Sequence, residues 1–126
     1  MKIILDASAW IEYFIDSAHA LKVEQKIKEH ACITLSITLA EVVAKIIRWG
    51  SESEETITAI KTLSTIVPAE EETAIAAAHI YAKMRRTRKK FSLSNAFLVA
   101  YAKKINAKIL TKDTDFSGLP EAIMLK

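Results

Sequence analysis

The stretch FSLSNAFLVAYAKKINAKILTKDTDF, residues 91–116, decides the fold class of this chain. Asn95 stands immediately before seven consecutive apolar residues, and these predict a buried helix that ends near Asn106. The segment KILT at 108–111 then predicts a short buried strand, and TKDTDF predicts the turn after it. A buried helix that leads directly into a short apolar strand is typical of a parallel sheet with helices on both faces.

The rest of the chain repeats this alternation of strands and helices. Further short apolar segments predict strands: KIIL at 2–5, ACITL at 31–35, Ile66–Val67 and AIML at 122–125. Helices are predicted over 8–30, with a break near Asp16 and Ser17 where Ser17 could cap the second piece, and over about 39–49, 53–64 and 69–84. We therefore expect an α/β fold, a three-layer α/β/α sandwich with a short, mainly parallel central sheet, as one domain over residues 1–126.

The composition is that of a chain with a single hydrophobic core. Its 126 residues are 51% hydrophobic, with only two Gly and two Pro. No apolar run approaches the roughly eighteen residues that span a bilayer, and Asp6 interrupts the apolar start, so a soluble, cytoplasmic protein is expected. Cys32 has no second cysteine to pair with and is expected in the core. A net charge of +3 weakly favours anionic partners.

Four acidic residues closely follow the predicted strands. Asp6 ends the first strand, Glu41 lies in the predicted first turn of the helix after ACITL, and Asp113 and Asp115 follow KILT. Because the carboxyl ends of parallel strands share one edge of the sheet, these side chains are expected to meet there. Carboxylates gathered without a nearby Lys or Arg suit Mg²⁺ or Mn²⁺, whereas the absence of His and Cys from these segments argues against zinc.

Each acid also has a purely structural explanation. Glu41 could complete a capping box with Thr38 and pair with Lys45 four residues later. Asp6 could cap the helix that follows it, and the aspartates of TKDTDF could be ordinary turn residues. If each acid had only its own structural role, all four would have reached one edge of the sheet by chance. A shared site is therefore the preferred interpretation.

Three segments carry a resemblance to a known family: LDASAWIEYF at 5–14, SITLAEVV at 36–43, and the stretch 91–119. Over essentially its whole length the chain resembles the PIN domain, and in particular the VapC-type ribonuclease toxins. The resemblance implies a metal-dependent endoribonuclease that holds Mg²⁺ or Mn²⁺ with an acidic cluster and cleaves RNA. It also implies the toxin of a toxin–antitoxin pair, with a cognate antitoxin as partner and a homodimer as the assembly.

The family's site residues carry over to matching positions. The resemblance makes Asp6, Glu41 and Asp113 catalytic metal ligands, with Asp115 as an accessory acid of the same site. Ser8 and Thr111 fall at the family's polar positions beside the cluster, where they would hydrogen-bond to the acids.

Asn95 departs from the family pattern, which has an Asp at this catalytic position. An amide oxygen can coordinate a hard cation, but it adds no charge and cannot act as a base. We therefore predict weak or single-metal binding and reduced or absent activity. The alternative function is a degenerate PIN domain that binds RNA or protein without cleavage. Asn95 could also cap its helix, a role for which Ser92 and Ser94 compete.

The segment KMRRTRKK at 83–90 contains six Lys and Arg residues among eight. On a helix these charges would point around the whole circumference, which is typical of an exposed helix end and loop. Because the run precedes the helix of Asn95, it should still reach the acidic edge of the sheet. Arg86 and Lys90 are therefore the candidate RNA-binding residues, with a solvated surface as the alternative.

Overall fold

The computed structural model describes residues 1–126. A five-stranded sheet lies at its centre. Its strands are β1 (Lys2–Leu5), β2 (Ala31–Leu35), β3 (Thr65–Val67), β4 (Lys108–Thr111) and β5 (Ala122–Met124). Their order across the sheet is β3-β2-β1-β4-β5, and every neighbouring pair is parallel. The five predicted strands are confirmed, each boundary to within one residue.

Helices connect and cover the strands. They are α1 (Ala7–Phe14), α2 (Ala20–Glu29), α3 (Ser36–Arg48), α4 (Glu54–Leu63), α5 (Glu71–Met84) and α6 (Leu93–Ile105). A single 3₁₀ turn, Thr114–Phe116, follows β4. None of these helices combines the length and the apolar character that crossing a membrane requires.

The break between α1 and α2 lies where the sequence predicts it, but the predicted cap is wrong. Asp16 adopts a left-handed backbone conformation with φ +52°. His19, not Ser17, occupies the N-cap position of α2. The Ser17 hydroxyl instead donates to Glu12 at 3.0 Å and accepts the His19 N–H at 3.1 Å. Ser17 therefore ties the loop to α1 rather than starting α2.

The sheet separates two hydrophobic cores, which confirms the three-layer architecture. Ile3 and Leu5 point to one face, where they pack with α1, α2, α3 and α4. Ile4 points to the other face, where it packs with α5 and α6. This alternation follows from the period of two along a strand. Both faces of the short strands are buried, which explains their continuous apolar sequences.

The two neighbours of β1 belong to different halves of the chain. On one side β1 pairs with β2, and on the other it pairs with β4 in a register that sets Leu5 opposite Leu110. The N–H of Asp6 continues this ladder by donating to the Leu110 carbonyl at 3.2 Å. The order of strands reverses at this point, and the carboxyl ends of such strands border the crevice in which α/β proteins bind ligands.

The start of α3 corrects the capping box predicted for Thr38 and Glu41. Strand β2 runs directly into α3 without a loop, so the helix begins at Ser36 and Leu35 occupies the cap position. Thr38 is fully buried, and its Oγ1 is the one fully buried side-chain polar atom without a partner. Glu41 is consequently in the second turn of α3. The predicted ion pair with Lys45 is also absent. The Lys45 ammonium lies instead 5.5 Å from the centre of the Trp49 ring.

Candidate active site

Asp6 is the buried acid at the point where β1 and β4 end. It is 4% exposed, and its carboxylate accepts the Ala9 N–H at 2.9 Å, which makes it the N-cap of α1. The Ser8 hydroxyl donates to the same oxygen at 2.7 Å, and the Thr111 hydroxyl donates to the other oxygen. The structural role that the sequence offered for Asp6 is therefore present. Both carboxylate oxygens are held in fixed positions.

The same two hydroxyls also fix the loop that carries the other aspartates. Ser8 Oγ accepts the Lys112 N–H at 2.9 Å, and Thr111 Oγ1 accepts the Asp113 N–H at 2.9 Å. Asp113 in turn caps the 3₁₀ turn by accepting the Asp115 N–H at 2.9 Å. One continuous hydrogen-bond network thus runs from Asp6 to Asp115 across the two strands.

The acids influence one another electrostatically. Burial raises the pKa of Asp6 from 3.8 to about 6, against the hydrogen bonds from Thr111, Ser8 and Ala9, and the charge of Asp113 adds to the rise. Burial of its carboxyl end also raises the pKa of Glu41, although the residue as a whole is exposed. The charge of Asp6 adds to that rise, while the hydroxyl of Ser94 works against it. Asp6 is thus the acid that couples Asp113 on one side with Glu41 on the other.

Helix α6 brings its first turn to this group of acids through Ser94. The Ser92 hydroxyl accepts the Asn95 N–H at 3.0 Å, so Ser92 is the cap and Asn95 is the third residue of the helix. The side-chain amide of Asn95 forms no hydrogen bond within the protein, and the residue is 8% exposed. Because Thr38 holds the one fully buried polar atom without a partner, the Asn95 amide must retain contact with solvent. Capping therefore does not explain the amide.

Lys112 is a cation beside the site that the sequence did not single out. Its ammonium lies 3.1 Å from Oε1 of Glu12, which is 7% exposed. The same oxygen lies 2.9 Å from Nδ1 of His19 and accepts from Ser17. Burial acts to raise the pKa of Glu12, but the hydrogen bonds from His19, Lys112 and Ser17 outweigh it and hold the pKa below its ordinary value. The signal in the sequence was a lone Glu in the apolar run WIEYF.

The basic run reaches the site through a residue other than those predicted. Arg86 and Lys90 are exposed in the segment between α5 and α6 and form no ion pair. Arg88 is half-buried, and its guanidinium donates to the backbone carbonyl of Asp115 at 2.8 Å. Arg88 thereby anchors the loop that carries Asp113 and Asp115. Spacing along a helix could not reveal this contact, since the run leaves the helix at Arg85.

The side chains at this edge of the sheet offer the type of ligand atom, oxygen, that a hard divalent cation prefers. Asp6, Glu41, Asp113 and Asp115 supply only oxygen, and none of them is paired with a Lys or Arg side chain. Burial is the main cause of the raised pKa values of Asp6 and Glu41, the charge of a neighbouring acid adds to each, and no cation offsets the rise. The side chains as they stand do not gather three acids around one point in a metal-binding arrangement.

The sequence matches a known family over almost its whole length. The profile of the PIN domain family matches residues 3–122, and the chain belongs to the PIN domain family. No curated protein sequence matches the chain significantly.

Solved structures with the same fold include proteins of toxin–antitoxin systems. A chain of a toxin–antitoxin complex from Klebsiella pneumoniae superposes with a TM-score of 0.78 at 20% identity, with 98% of each chain covered. VapC20 of Mycobacterium tuberculosis, a toxin that cleaves the sarcin–ricin loop, gives 0.74 at 18% identity over 94% of this chain and 95% of that chain. VapBC2 from Rickettsia felis, bound to a DNA fragment from its promoter, gives 0.74 at 15% identity over 98% and 97%. At these identities the likeness establishes the fold.

Proposed function

We propose that this PIN-domain protein is a metal-dependent endoribonuclease, the toxin of a toxin–antitoxin pair, with Asp6, Glu41, Asn95, Asp113 and Asp115 as its active-site positions. One observation carries the proposal. Asp6 is buried where β1 and β4 end, and the hydroxyls that orient its carboxylate also hold the loop of Asp113. A buried acid held in this way at the reversal of a parallel sheet is expected at a catalytic site rather than in a fold-stabilising role.

The ligands of a divalent cation would be Asp6, Glu41, Asp113 and Asp115, and Mg²⁺ or Mn²⁺ suits their oxygen donors. When bound, such a cation polarises a phosphate and lowers the pKa of a bound water. Ser8 and Thr111 orient Asp6, and Arg88 positions the loop of Asp115. The chain's own contribution is therefore to hold the acids, at a cost in stability, where phosphodiester cleavage needs negative oxygen ligands.

Asn95 supplies the test of this function. Replacing Asn95 with Asp restores the carboxylate of the family pattern, so we expect cleavage of a fluorescent single-stranded RNA with Mn²⁺ or Mg²⁺ to rise at least about tenfold. Asp6→Asn should abolish cleavage in both the parent and the Asn95→Asp background, and EDTA should abolish it in all variants. Asn106→Asp, at the exposed far end of α6, is the matched control and should leave the rate unchanged.

A degenerate PIN domain that binds RNA or protein without cleaving is the second candidate. It is favoured by the neutral amide at position 95 and by the lack of a gathered group of three acids. Asn95→Asp with no gain in cleavage, together with unchanged RNA binding in Asp6→Asn, would select it over the nuclease.

The partners follow from the same proposal. Toxin–antitoxin complexes among the structures of the same fold support a cognate antitoxin. We place the proposed pair in the cytoplasm, where its RNA substrate would be. Exposed apolar side chains, which include Leu21, Ile47 and Trp49, are available for the antitoxin or for a homodimer. Light scattering on the purified chain should give twice the monomer mass. The monomer mass at micromolar concentration would exclude the homodimer.

A further inference from the structure

A cavity beside the acids extends away from them between α1 and α3. Its volume is about 340 Å³, and Ser8 and Ile11 line it from α1, while Glu41, Lys45 and Arg48 line it from α3. Glu41 and Ser8 belong to the candidate active site described above. The cavity is therefore continuous with that site at one end and basic at the other.

The positions of the cations follow from helix geometry. Lys45 and Arg48 stand four and seven residues after Glu41, so all three lie on one face of α3. At a rise of about 1.5 Å per residue, they follow Glu41 by about 6 and about 10.5 Å along the helix axis. A linear polyanion with one of its charged groups at the acids would thus meet two cations in succession.

Neither cation is committed to a protein carboxylate. Lys45 and Arg48 are exposed and take part in none of the ion pairs of the structure. Lys45 lies against the Trp49 ring, 5.5 Å from its centre, a contact that leaves its N–H groups free to donate. The alternative explanation for Lys45 and Arg48 is that cations in the last turn of α3 suit the negative end of the helix dipole. That explanation does not account for the cavity beside them.

We propose that this cavity is the subsite for the sugar–phosphate backbone of RNA next to the bond that is cut, with Lys45 and Arg48 each contacting a phosphate. The inference rests on the proposed nuclease function and deepens it. It also moves the RNA contact away from Arg86 and Lys90, which line no cavity. Phosphate contacts of this kind supply affinity and orientation without reading sequence.

The experiment measures binding rather than cleavage, so it does not depend on a bound metal. Fluorescence anisotropy is recorded in EDTA with two single-stranded RNA oligonucleotides of unrelated sequence and a 5′-fluorescein label, at several KCl concentrations. The variants are Lys45→Gln/Arg48→Gln, Arg86→Gln/Lys90→Gln, and the control Lys22→Gln/Lys61→Gln. Each removes two exposed cations, so the loss of overall charge is the same in all three.

We expect Lys45→Gln/Arg48→Gln to bind both oligonucleotides about tenfold more weakly than the control. The slope of log affinity against log salt should fall by about 1.4, because each lost contact to a single strand removes about 0.7. The charge-conserving variant Lys45→Arg/Arg48→Lys should retain most of the parent's affinity. An unchanged circular dichroism spectrum of Lys45→Gln/Arg48→Gln would exclude a folding defect as the cause of its weaker binding.

Two results would overturn the inference, and they are distinguishable. If the parent binds RNA but Lys45→Gln/Arg48→Gln equals the control, or if Arg86→Gln/Lys90→Gln carries the loss, the subsite is wrong while the nuclease function stands. If the parent binds neither oligonucleotide at any salt concentration, the subsite is wrong, whereas the nuclease function is judged separately by the Asn95→Asp cleavage assay.

Discussion

Asp6 is both a structural cap and a destabilising charge. Three donors hold its carboxylate, which favours the ionised form, but burial outweighs them and the pKa rises to about 6. In the unfolded chain the same group has an ordinary pKa near 3.8. The folded protein therefore binds this proton more tightly than the unfolded chain does. The contribution of Asp6 to the free energy of unfolding therefore falls as pH rises from about 4 to about 6, since the buried group loses its proton in that window.

This imbalance predicts the stability of Asp6→Asn, which cannot ionise. We expect the free energy of unfolding of the variant, measured in urea with EDTA, to rise relative to that of the parent as the pH goes from 4 to 7. The total rise should be about 1–3 kcal/mol, because a shift of one pKa unit corresponds to about 1.4 kcal/mol. Asp16→Asn is the control, since Asp16 is exposed and its left-handed conformation also suits Asn. Parallel pH profiles for the parent and Asp6→Asn would contradict the assignment.

At the scale of elements, the junction of β2 and α3 leaves a polar atom that the fold does not satisfy. Thr38 Oγ1 is buried without a hydrogen-bond partner. Thr34, four residues earlier in β2, is equally buried, but its hydroxyl has hydrogen-bond partners. Thr34 accepts from Trp10 Nε1 at 3.1 Å and lies 2.7 Å from Ser64 Oγ. Because Ser64 gives its own proton to the Ile60 carbonyl, Thr34 must be the donor to Ser64.

These two threonines form a matched pair for mutation to Val. Thr34→Val removes two hydrogen bonds in the core and should cost about 1–3 kcal/mol in the free energy of unfolding. Thr38→Val removes only an unsatisfied hydroxyl and should be neutral or stabilising by up to about 1 kcal/mol. Chemical denaturation of both variants measures the difference. A large loss in Thr38→Val would mean that its hydroxyl has a partner, such as a buried water, in solution.

The same elements show why the sequence predicted the sheet better than the site. Strands such as KIIL and KILT are apolar on both faces, so composition alone marks them. Thr38 was misassigned because no loop separates β2 from α3, so the helix begins earlier than predicted. Ser17 was misassigned because its hydroxyl bonds back to Glu12 of α1 instead of capping α2. Lys112 and Arg88 make contacts across more than 25 residues of sequence, which no local pattern encodes. The prediction that Asp6, Glu41 and Asp113 share one edge of the sheet rested on topology rather than on local pattern, because parallel strands all end at that edge.

For the whole molecule, the acidic edge of the sheet predicts that divalent cations stabilise the fold. A cation that binds only the native state adds free energy of unfolding with concentration, about 2.7 kcal/mol at one hundred times its Kd. Thermal unfolding followed by tryptophan fluorescence should therefore shift upward with MnCl₂ in the parent, and more strongly in Asn95→Asp. Asp16→Asn should shift as the parent does. An equal shift in Asp6→Asn would place the bound cation elsewhere on the protein.

The bond between Thr111 and Asp6 joins residues that are 105 positions apart in the chain. During synthesis β2 can pair with β1, and β3 with β2, before β4 and the loop of Asp113 have been made. At about 5–20 residues per second, this delay amounts to roughly 5–20 s. A nascent chain that still lacks β4 and the loop after it therefore has no complete set of acids. The proposed site is therefore assembled only once β4 has paired with β1.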